Sequence, residues 1–362
     1  MINPFNFPLG EKGTGEKTPI VQRMLSLSLL PASWIYGSAM KRRRGLYEIG
    51  MLSSRRVPCK VVSIGNLTVG GTGKTQVVSY LSREAFRRGI RGAVINGGYG
   101  GNARKKGLVV SVGPATPPDF CGDEAAMLSA ISDGLPVYSG QKRFEACRRA
   151  VLEKGAALCI LDDAAQHLQI KRDEDVFVMD ADNPFGNGAC LPAGPLREYP
   201  SAIGASAIIW LVSSAESRSA VKSTAALWVL NQRVALVKSV VKPVSITFFP
   251  EGRVAGVEEL KGVRVAAFSG IARADRFFNT AASCGMDVRF KMPYPDHHSF
   301  TTDDAGSINE MSFDGRTVIL TTAKDESRSG RVFREVFEKY AVLNVGLEIL
   351  SGHELIDEIL RV

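Results

Sequence analysis

Thr68, Val69, Gly70, Gly71, Thr72, Gly73, Lys74 and Thr75 form one uninterrupted run in which three glycines precede a lysine and a hydroxyl. Glycines let consecutive backbone N–H groups converge on phosphate oxygens, a lysine neutralises β- and γ-phosphate charge, and the following hydroxyl can ligate Mg²⁺. The usual G-x-x-x-x-G-K-[ST] spacing asks for glycine where Thr68 stands, so the run reads as a phosphate cradle with one irregular position.

Further groups could serve the same chemistry. Cys159-Ile-Leu-Asp-Asp163 is an apolar segment ending in two carboxylates, and in phosphate-loop enzymes a strand-end Asp completes a Mg²⁺ shell. Gly122-Asp-Glu124 follows a Pro-rich loop and opens a helical pattern; Asp123 and Glu124 there suit either a helix cap or a general base for a hydroxyl. Histidine is scarce, at His167, His297, His298 and His353, and Gln166-His167 and Asp296-His-His298 are the polar motifs that contain it. These histidines are acid/base or phosphate-orienting groups on one reading and surface residues on the other. Leu191-Pro-Ala-Gly-Pro-Leu-Arg-Glu198 builds a rigid turn carrying Arg197, whose planar fork matches phosphate, and Arg143 and Lys324 are further anion-contact candidates.

These groups need strands and helices to hold them. The apolar segment Lys60–Gly65 before the cradle and the shared face of Val77, Val78, Leu81 and Ala85 after it predict strand, loop, helix. From Lys60 to about Val212, β-like runs alternate with helical stretches: 61–65, 92–95, 108–112, 157–161, 176–180 and 207–212. That alternation predicts an α/β, P-loop NTPase-like, mostly parallel sheet with helices on both faces, and ligands in such sheets sit beyond the carboxyl ends of the strands. Two β-like runs, 227–237 and 241–249, read as a connector to a smaller α/β unit with strands at 263–269, 317–322 and 342–350 and a helix at 275–284. The expected organisation is an N-terminal extension and helix (1–45), a P-loop domain (46–225), a two-stranded connector (226–250) and the smaller domain (251–362), since one core stops growing near ~250–300 residues.

Charge and cysteine usage narrow the setting. Of the net charge of +8, residues 1–60 hold ten Lys/Arg against three Asp/Glu, so the rest of the chain is nearly balanced. Such a distribution argues against a nucleic-acid groove and for a basic collar beside something apolar. The seventeen uncharged residues 24–40 precede Lys41-Arg-Arg-Arg44. As a helix they would be about 26 Å long, short of the ~30 Å needed to span a bilayer, which leaves an interfacial helix or a core helix with a solvated basic tail. Six cysteines without metal-like spacing predict free thiols in a reducing compartment.

In one order, the chain carries Gly65-Asn-Leu-Thr-Val-Gly-Gly-Thr-Gly-Lys-Thr75, Gly98-Tyr-Gly100, Gly122-Asp-Glu124, Asp162-Asp163 with Gln166-His167, Gly186-Asn-Gly188, Leu191–Glu198 and Asp296-His-His298. The set closely resembles the tetraacyldisaccharide 4′-kinase family over roughly residues 20–350. That resemblance implies an ATP-dependent kinase of lipid A biosynthesis, phosphorylating the 4′-hydroxyl of an acylated disaccharide at the cytoplasmic face of the bacterial inner membrane. It implies ATP and Mg²⁺ as cofactors, anionic membrane lipids as contacts of residues 24–44, and no nucleic-acid partner. By resemblance, Asp123 is the general base with His297 as its partner, Lys74 holds the phosphates, and Thr75, Glu124 and Asp162, with Asp163 nearby, serve the metal. Arg143, His167 and Arg197 are the expected substrate or phosphate contacts. It also makes Thr68 the ordinary residue of this loop.

The chain departs from the family pattern in places. Ser-Arg-Gly-Tyr-Gly becomes Asn96-Gly-Gly-Tyr-Gly100, losing a cation at Gly97; Asp-Asp-Gly-Phe-Gln-His acquires Ala164 and Ala165; Thr-Thr-Glu-Lys-Asp acquires Ala323; and a usual proline is Ala274. These changes bear on rate, nucleotide affinity or exact substrate more than on reaction class. Two other readings are a membrane-associated ATPase that couples hydrolysis to partner binding and a catalytically silent nucleotide-binding scaffold.

Overall fold

The structure, a computed structural model, describes residues 27–113, 116–132, 134–214, 235–311 and 315–362. In chain order its strands are β1 (Lys60–Gly65), β2 (Gly92–Asn96), β3 (Val110–Val112), β4 (Val137–Ser139), β5 (Leu158–Leu161), β6 (Glu174–Asp180) and β7 (Ile208–Ser214), followed by β8 (Ala235–Phe249), β9 (Arg253–Ala255), β10 (Arg264–Ser269), β11 (Asp287–Pro293), β12 (Thr317–Thr322) and β13 (Tyr340–Ser351). All belong to one sheet, ordered β11-β10-β12-β13-β8-β7-β6-β1-β5-β2-β4-β3, with β9 beside β8.

The first half is parallel from β7 through β4, and only β3 runs antiparallel at its edge. β2, β4 and β5 are buried along their whole length, and β1 and β6 along all but their first residues, because helices cover both faces. Val62 and Ile64 of β1 pack with Val77, Val78, Leu81 and Ala85 of α2 (Lys74–Arg87), the face expected from the sequence. On the other side, Val61 packs with Ala146, Cys147 and Ala150 of α4 (Arg143–Lys154). Between them in sequence, α3 (Asp123–Ile131) adds Ala125 and Leu128 to the first of these cores. The second half is built on β10–β13 with α5 (Ala274–Ser283), α6 (Thr302–Glu310) and α7 (Ala323–Val336).

Two expectations change at the junction. Instead of two connector strands, residues 235–249 form the single strand β8, and residues 227–234 of the first expected run lie outside the described residues. Pro243, inside the second expected run, is absorbed in the ladder: opposite it, the register with β13 shifts between Asn344 and Val345, where a missing N–H does least harm. β8 pairs in parallel with β7 over Ala235–Val241 and antiparallel with β13 over Lys238–Phe249, so one strand belongs to both halves. The final helix α8 (His353–Leu360) departs from the expected 251–362 unit by packing, because Ile356, Ile359 and Leu360 are buried in the α2 core of the first half.

Upstream, α1 (Leu30–Glu48) holds Pro31 in its first turn, where a missing N–H costs least. One face docks on the core: Ser33 Oγ donates to the Cys190 carbonyl at 2.6 Å, and a side chain at Gly37 would collide with the Tyr199 ring. Trp34 and Ile35, 60% and 64% exposed, face away from the core. The basic collar differs from expectation. Lys41 and Arg42 are exposed, but Arg43 donates to the Gln166 carbonyl and Arg44 is buried in a bidentate pair with Glu198, Nη2 to Oε2 at 2.6 Å. A buried guanidinium needs such a partner, and only part of the cluster remains for a surface role. Among the described residues, no helix is long and apolar enough to cross a membrane; residues 24–26 lie outside them.

Candidate active site

Parallel pairing brings the carboxyl ends of β1, β2, β5 and β6 to one edge, where Gly65, Asn96, Asp162 and Asp180 emerge. Gly65 must lack a side chain, because a Cβ there would collide with Ala165. Beyond it the loop turns through Gly70 and Gly73, at φ 105° and 89°, a region where glycine is unstrained. Asn66 Nδ2 braces the turn by donating to the Thr68 carbonyl at 2.6 Å and to Thr72 Oγ1 at 3.2 Å. The Val69 N–H donates to the Pro195 carbonyl (2.8 Å) and the Arg197 N–H to the Leu67 carbonyl (2.6 Å), while Thr68 bridges Leu196. Two motifs distant in sequence, 65–75 and 191–198, are therefore one scaffold. Lys74 and Thr75 open α2, whose first N–H groups lack intrahelical partners and suit an anion.

Charge is concentrated at this edge. Lys74 Nζ lies 3.5 Å from Asp163 Oδ1, and Arg197 Nη1 lies 3.0 Å from both Asp163 oxygens. Burial would raise the Asp163 carboxyl, but Lys74 and Arg197 outweigh it and hold the group below its ordinary value. Its neighbour Asp162 is buried and accepts a 2.8 Å hydrogen bond from Asn96 Nδ2. Burial, with Glu124 and Asp163 close by, pushes the Asp162 carboxyl up to about 7. Arg143, the first residue of α4, is buried and its Nη2 donates to the carbonyls of Asp162 (3.0 Å) and Asp163 (2.9 Å). It braces the acidic turn. His167 lies close enough for burial, then Arg143, Arg43, Arg172 and Arg104, to bring its imidazole down to about 4, so it is neutral at pH 7. Among the described residues, no three His, Cys, Asp or Glu side chains form a metal-holding group by themselves.

Asp123 begins α3 after Gly122, at φ 97°, where a Cβ would collide with the Tyr99 carbonyl. Its Oδ2 accepts from Arg328 Nε, in the second half of the molecule, at 3.3 Å. The histidines divide. His298 stacks on Tyr294, meets Phe300 edge-on, and its Nε2 sits 3.0 Å from Asp304 Oδ2, which makes it a structural residue. His297 is 55% exposed at φ 63°, its Nε2 3.8 Å from Asp296 Oδ2. Among the described residues, Asp123 is joined to Arg328 rather than to His297. Lys324 pairs with Asp296 at 3.7 Å rather than standing free for an anion.

Several site residues carried no sequence signal. Asp180, 3% exposed, pairs with Arg273 (2.8 Å) and Arg276 (3.0 Å) from the second half, and Asp182 also meets Arg276. Asn96, one of the departures, holds Asp162. At Gly97 a Cβ would lie 2.8 Å from the Tyr99 ring and 2.9 Å from Arg143 Nη2, so a longer residue has no room in this arrangement. Arg104 instead donates to the Gly97 carbonyl and lies 4.0 Å over the Tyr99 ring, placing a guanidinium beside the position that lost one.

A family model described as tetraacyldisaccharide-1-P 4′-kinase matches residues 25–362. A tetraacyldisaccharide 4′-kinase of Anaeromyxobacter dehalogenans (strain 2CP-C) is 37% identical over 91% of this chain and 88% of its own length. One from Syntrophus aciditrophicus (strain SB) is 33% identical over 81% of this chain and 82% of its own. A crystal structure of LpxK from Aquifex aeolicus, described as an "apo" form in complex with ATP, has the same fold. It superposes with a TM-score of 0.73 at 24% identity, over 93% of this chain and 100% of that one.

Proposed function

The chain belongs to the tetraacyldisaccharide 4′-kinase family, and on that premise we propose how its residues carry the γ-phosphoryl group of ATP to the 4′-hydroxyl of tetraacyldisaccharide 1-phosphate. The observation that carries the reading is the ionic chain Lys74–Asp163–Arg197 beside the glycine loop, with Asp123 presented nearby at a helix start. Backbone N–H groups of residues 70–75 and Lys74 take the β- and γ-phosphates. Arg197, fixed by its own backbone bond to the loop, orients phosphate.

Thr75, Glu124, Asp162 and Asp163 suit Mg²⁺: all are oxygen donors, and the raised Asp162 carboxyl marks buried negative charge that a hard cation would relieve. When bound, the ion neutralises charge on the phosphate oxygens. Asp123 takes the proton of the 4′-hydroxyl as that oxygen bonds to the γ-phosphorus and the bridge to ADP breaks; His297, its ring 55% exposed, is the group that passes the proton on. Arg143 braces the acidic turn, and His167 remains neutral close to it. Arg104 supplies the positive charge absent at Gly97.

α1, with Trp34 and Ile35 exposed and Lys41 and Arg42 free at the surface, lies on the cytoplasmic face of the inner membrane and meets anionic lipid, leaving the acyl chains partly in the bilayer. The test is ADP release by the purified chain with Mg-ATP. The reading expects release to depend on tetraacyldisaccharide 1-phosphate and to match phosphorylated lipid formed; equal release without the acceptor would mark an ATPase instead.

A further inference from the structure

We propose that Arg328 is a positioning residue for phosphoryl transfer, aligning the Asp123 carboxylate and the His297 loop across the two halves of the site; the proposal rests on the reading of Asp123 as the base. A guanidinium out of water is costly unless its donors are used. Arg328 is 3% exposed, yet one of its strongest available partners lies in the other half of the molecule and is itself 43% exposed. Asp325, 3.5 Å from Arg328 Nη1 and fully buried, is already engaged by the Ser269 and Thr322 hydroxyls and the Gly270 N–H. Asp325 is thus satisfied without Arg328, whose Nε instead reaches across to Asp123 while its Nη2 has no hydrogen-bond partner among the described residues.

The other contacts of the same side chain explain the reach. Its Nη1 donates to the His298 carbonyl at 3.1 Å and to the Gly270 carbonyl at 3.4 Å. Gly270 O also accepts the His297 N–H at 3.1 Å, so Arg328 holds the residue after His297 directly and shares the acceptor of the His297 N–H, while its Nε holds Asp123. His297 sits in a left-handed conformation that a non-glycine residue adopts only when its surroundings hold it there. One fork thus ties the base to the loop that presents its partner. α7 packs on α3 along the same contact.

The experiment is steady-state kinetics of the full chain carrying Arg328→Met or Arg328→Lys, beside Asp123→Asn, with Mg-ATP and tetraacyldisaccharide 1-phosphate. For Arg328→Met the expected result is a kcat lower by about 100-fold, the cost of a roughly 1 Å misplacement, with KM for ATP little changed. Arg328→Lys keeps the charge without the fork, and its loss is smaller. Wild-type kcat in Arg328→Met overturns the proposal, as does a loss of kcat matched by equal loss of ATP affinity. If Arg328→Met does not fold, Arg328→Lys decides: lowered kcat at constant KM supports the role, and unchanged kcat overturns it. Full activity in Asp123→Asn would instead remove the base reading itself, whereas an inactive Asp123→Asn beside a fully active Arg328→Met removes only the role of Arg328.

Discussion

Asp163 meets Lys74 and Arg197 in a partly buried ionic chain, whereas His297, in the other half of the molecule, leaves its ring 55% exposed with Asp296 3.8 Å away. The phosphate side is set before any ligand arrives: its loop is hydrogen-bonded to residues 195–197, its acidic turn is braced by Arg143, and Asp162 is held by Asn96. The proposed acceptor side keeps His297, its proposed acid/base group, accessible and fixes only the backbone around it. The difference fits the chemistry. A nucleotide's triphosphate is a constant shape that rewards a rigid cradle, while a bulky lipid sugar must enter before a proton can move.

The largest effect that would sharpen this contrast is at Asp123. Asp123→Ala is expected to lower kcat by about 10²–10⁴-fold, the range for a general base, while nucleotide affinity measured by calorimetry stays near wild type. An equal loss of ATP affinity would erase the division of labour between the two sides. Next comes the support of the cradle from α1. Arg44→Ala leaves Glu198, 2% exposed, without its ionic partner and with only the 3.3 Å hydrogen bond from Gln166 Nε2, and is expected to cost about 3–5 kcal/mol of stability in chemical denaturation; a change near zero would mean that the phosphate-side scaffold does not depend on α1.

A smaller effect is expected at Arg104. Removing a charge-assisted contact worth about 1.5–3 kcal/mol should raise KM for ATP or for the disaccharide phosphate by roughly tenfold or more in Arg104→Ala, and separate titrations of the two substrates identify which phosphate it serves. Unchanged KM for both would leave Arg104 as a brace for the Gly97 turn. The smallest effect concerns His167, whose imidazole is brought from its ordinary 6.5 to about 4 by burial and the charges of Arg143, Arg43, Arg172 and Arg104. The unfolded chain then binds the proton more readily, so this contribution is present above about 6.5 and is lost as pH falls towards 4. His167→Gln should flatten that part of the stability profile, and an identical slope in both proteins would contradict the neutral imidazole.

Much of the phosphate side was legible because its chemistry is local. Thr68–Thr75 between an apolar strand and an amphipathic helix, and Asp162-Asp163 at a strand end, carry their meaning in consecutive residues. The α2 face of Val77, Val78, Leu81 and Ala85 followed from periodicity alone. The acceptor side was less legible. Arg328 sits on a helix face where nothing in the surrounding sequence separates it from Arg331, which is 91% exposed; only the approach of α7 to α3 makes it different. Arg44 looked like one of four solvated charges because its partner, Glu198, is brought to it by the tertiary fold. β8 read as two runs, 227–237 and 241–249, with residues 238–240 between them, yet those three residues pair with both β7 and β13, and Pro243 within the second run is accommodated by a bulge opposite it in a strand far along the chain. Ala164 and Ala165 stood only as departures from the family pattern, yet the small side chain at Ala165 packs directly against Gly65 at the start of the loop.

Locating the new phosphate on the product tests the central claim most directly. Phosphorus NMR of the lipid made from tetraacyldisaccharide 1-phosphate and Mg-ATP should show a second phosphomonoester at the 4′ carbon, with the 1-phosphate unchanged. Phosphorylation at any other position, including extension of the 1-phosphate to a diphosphate, or ADP formation with no phosphorylated lipid, would contradict it.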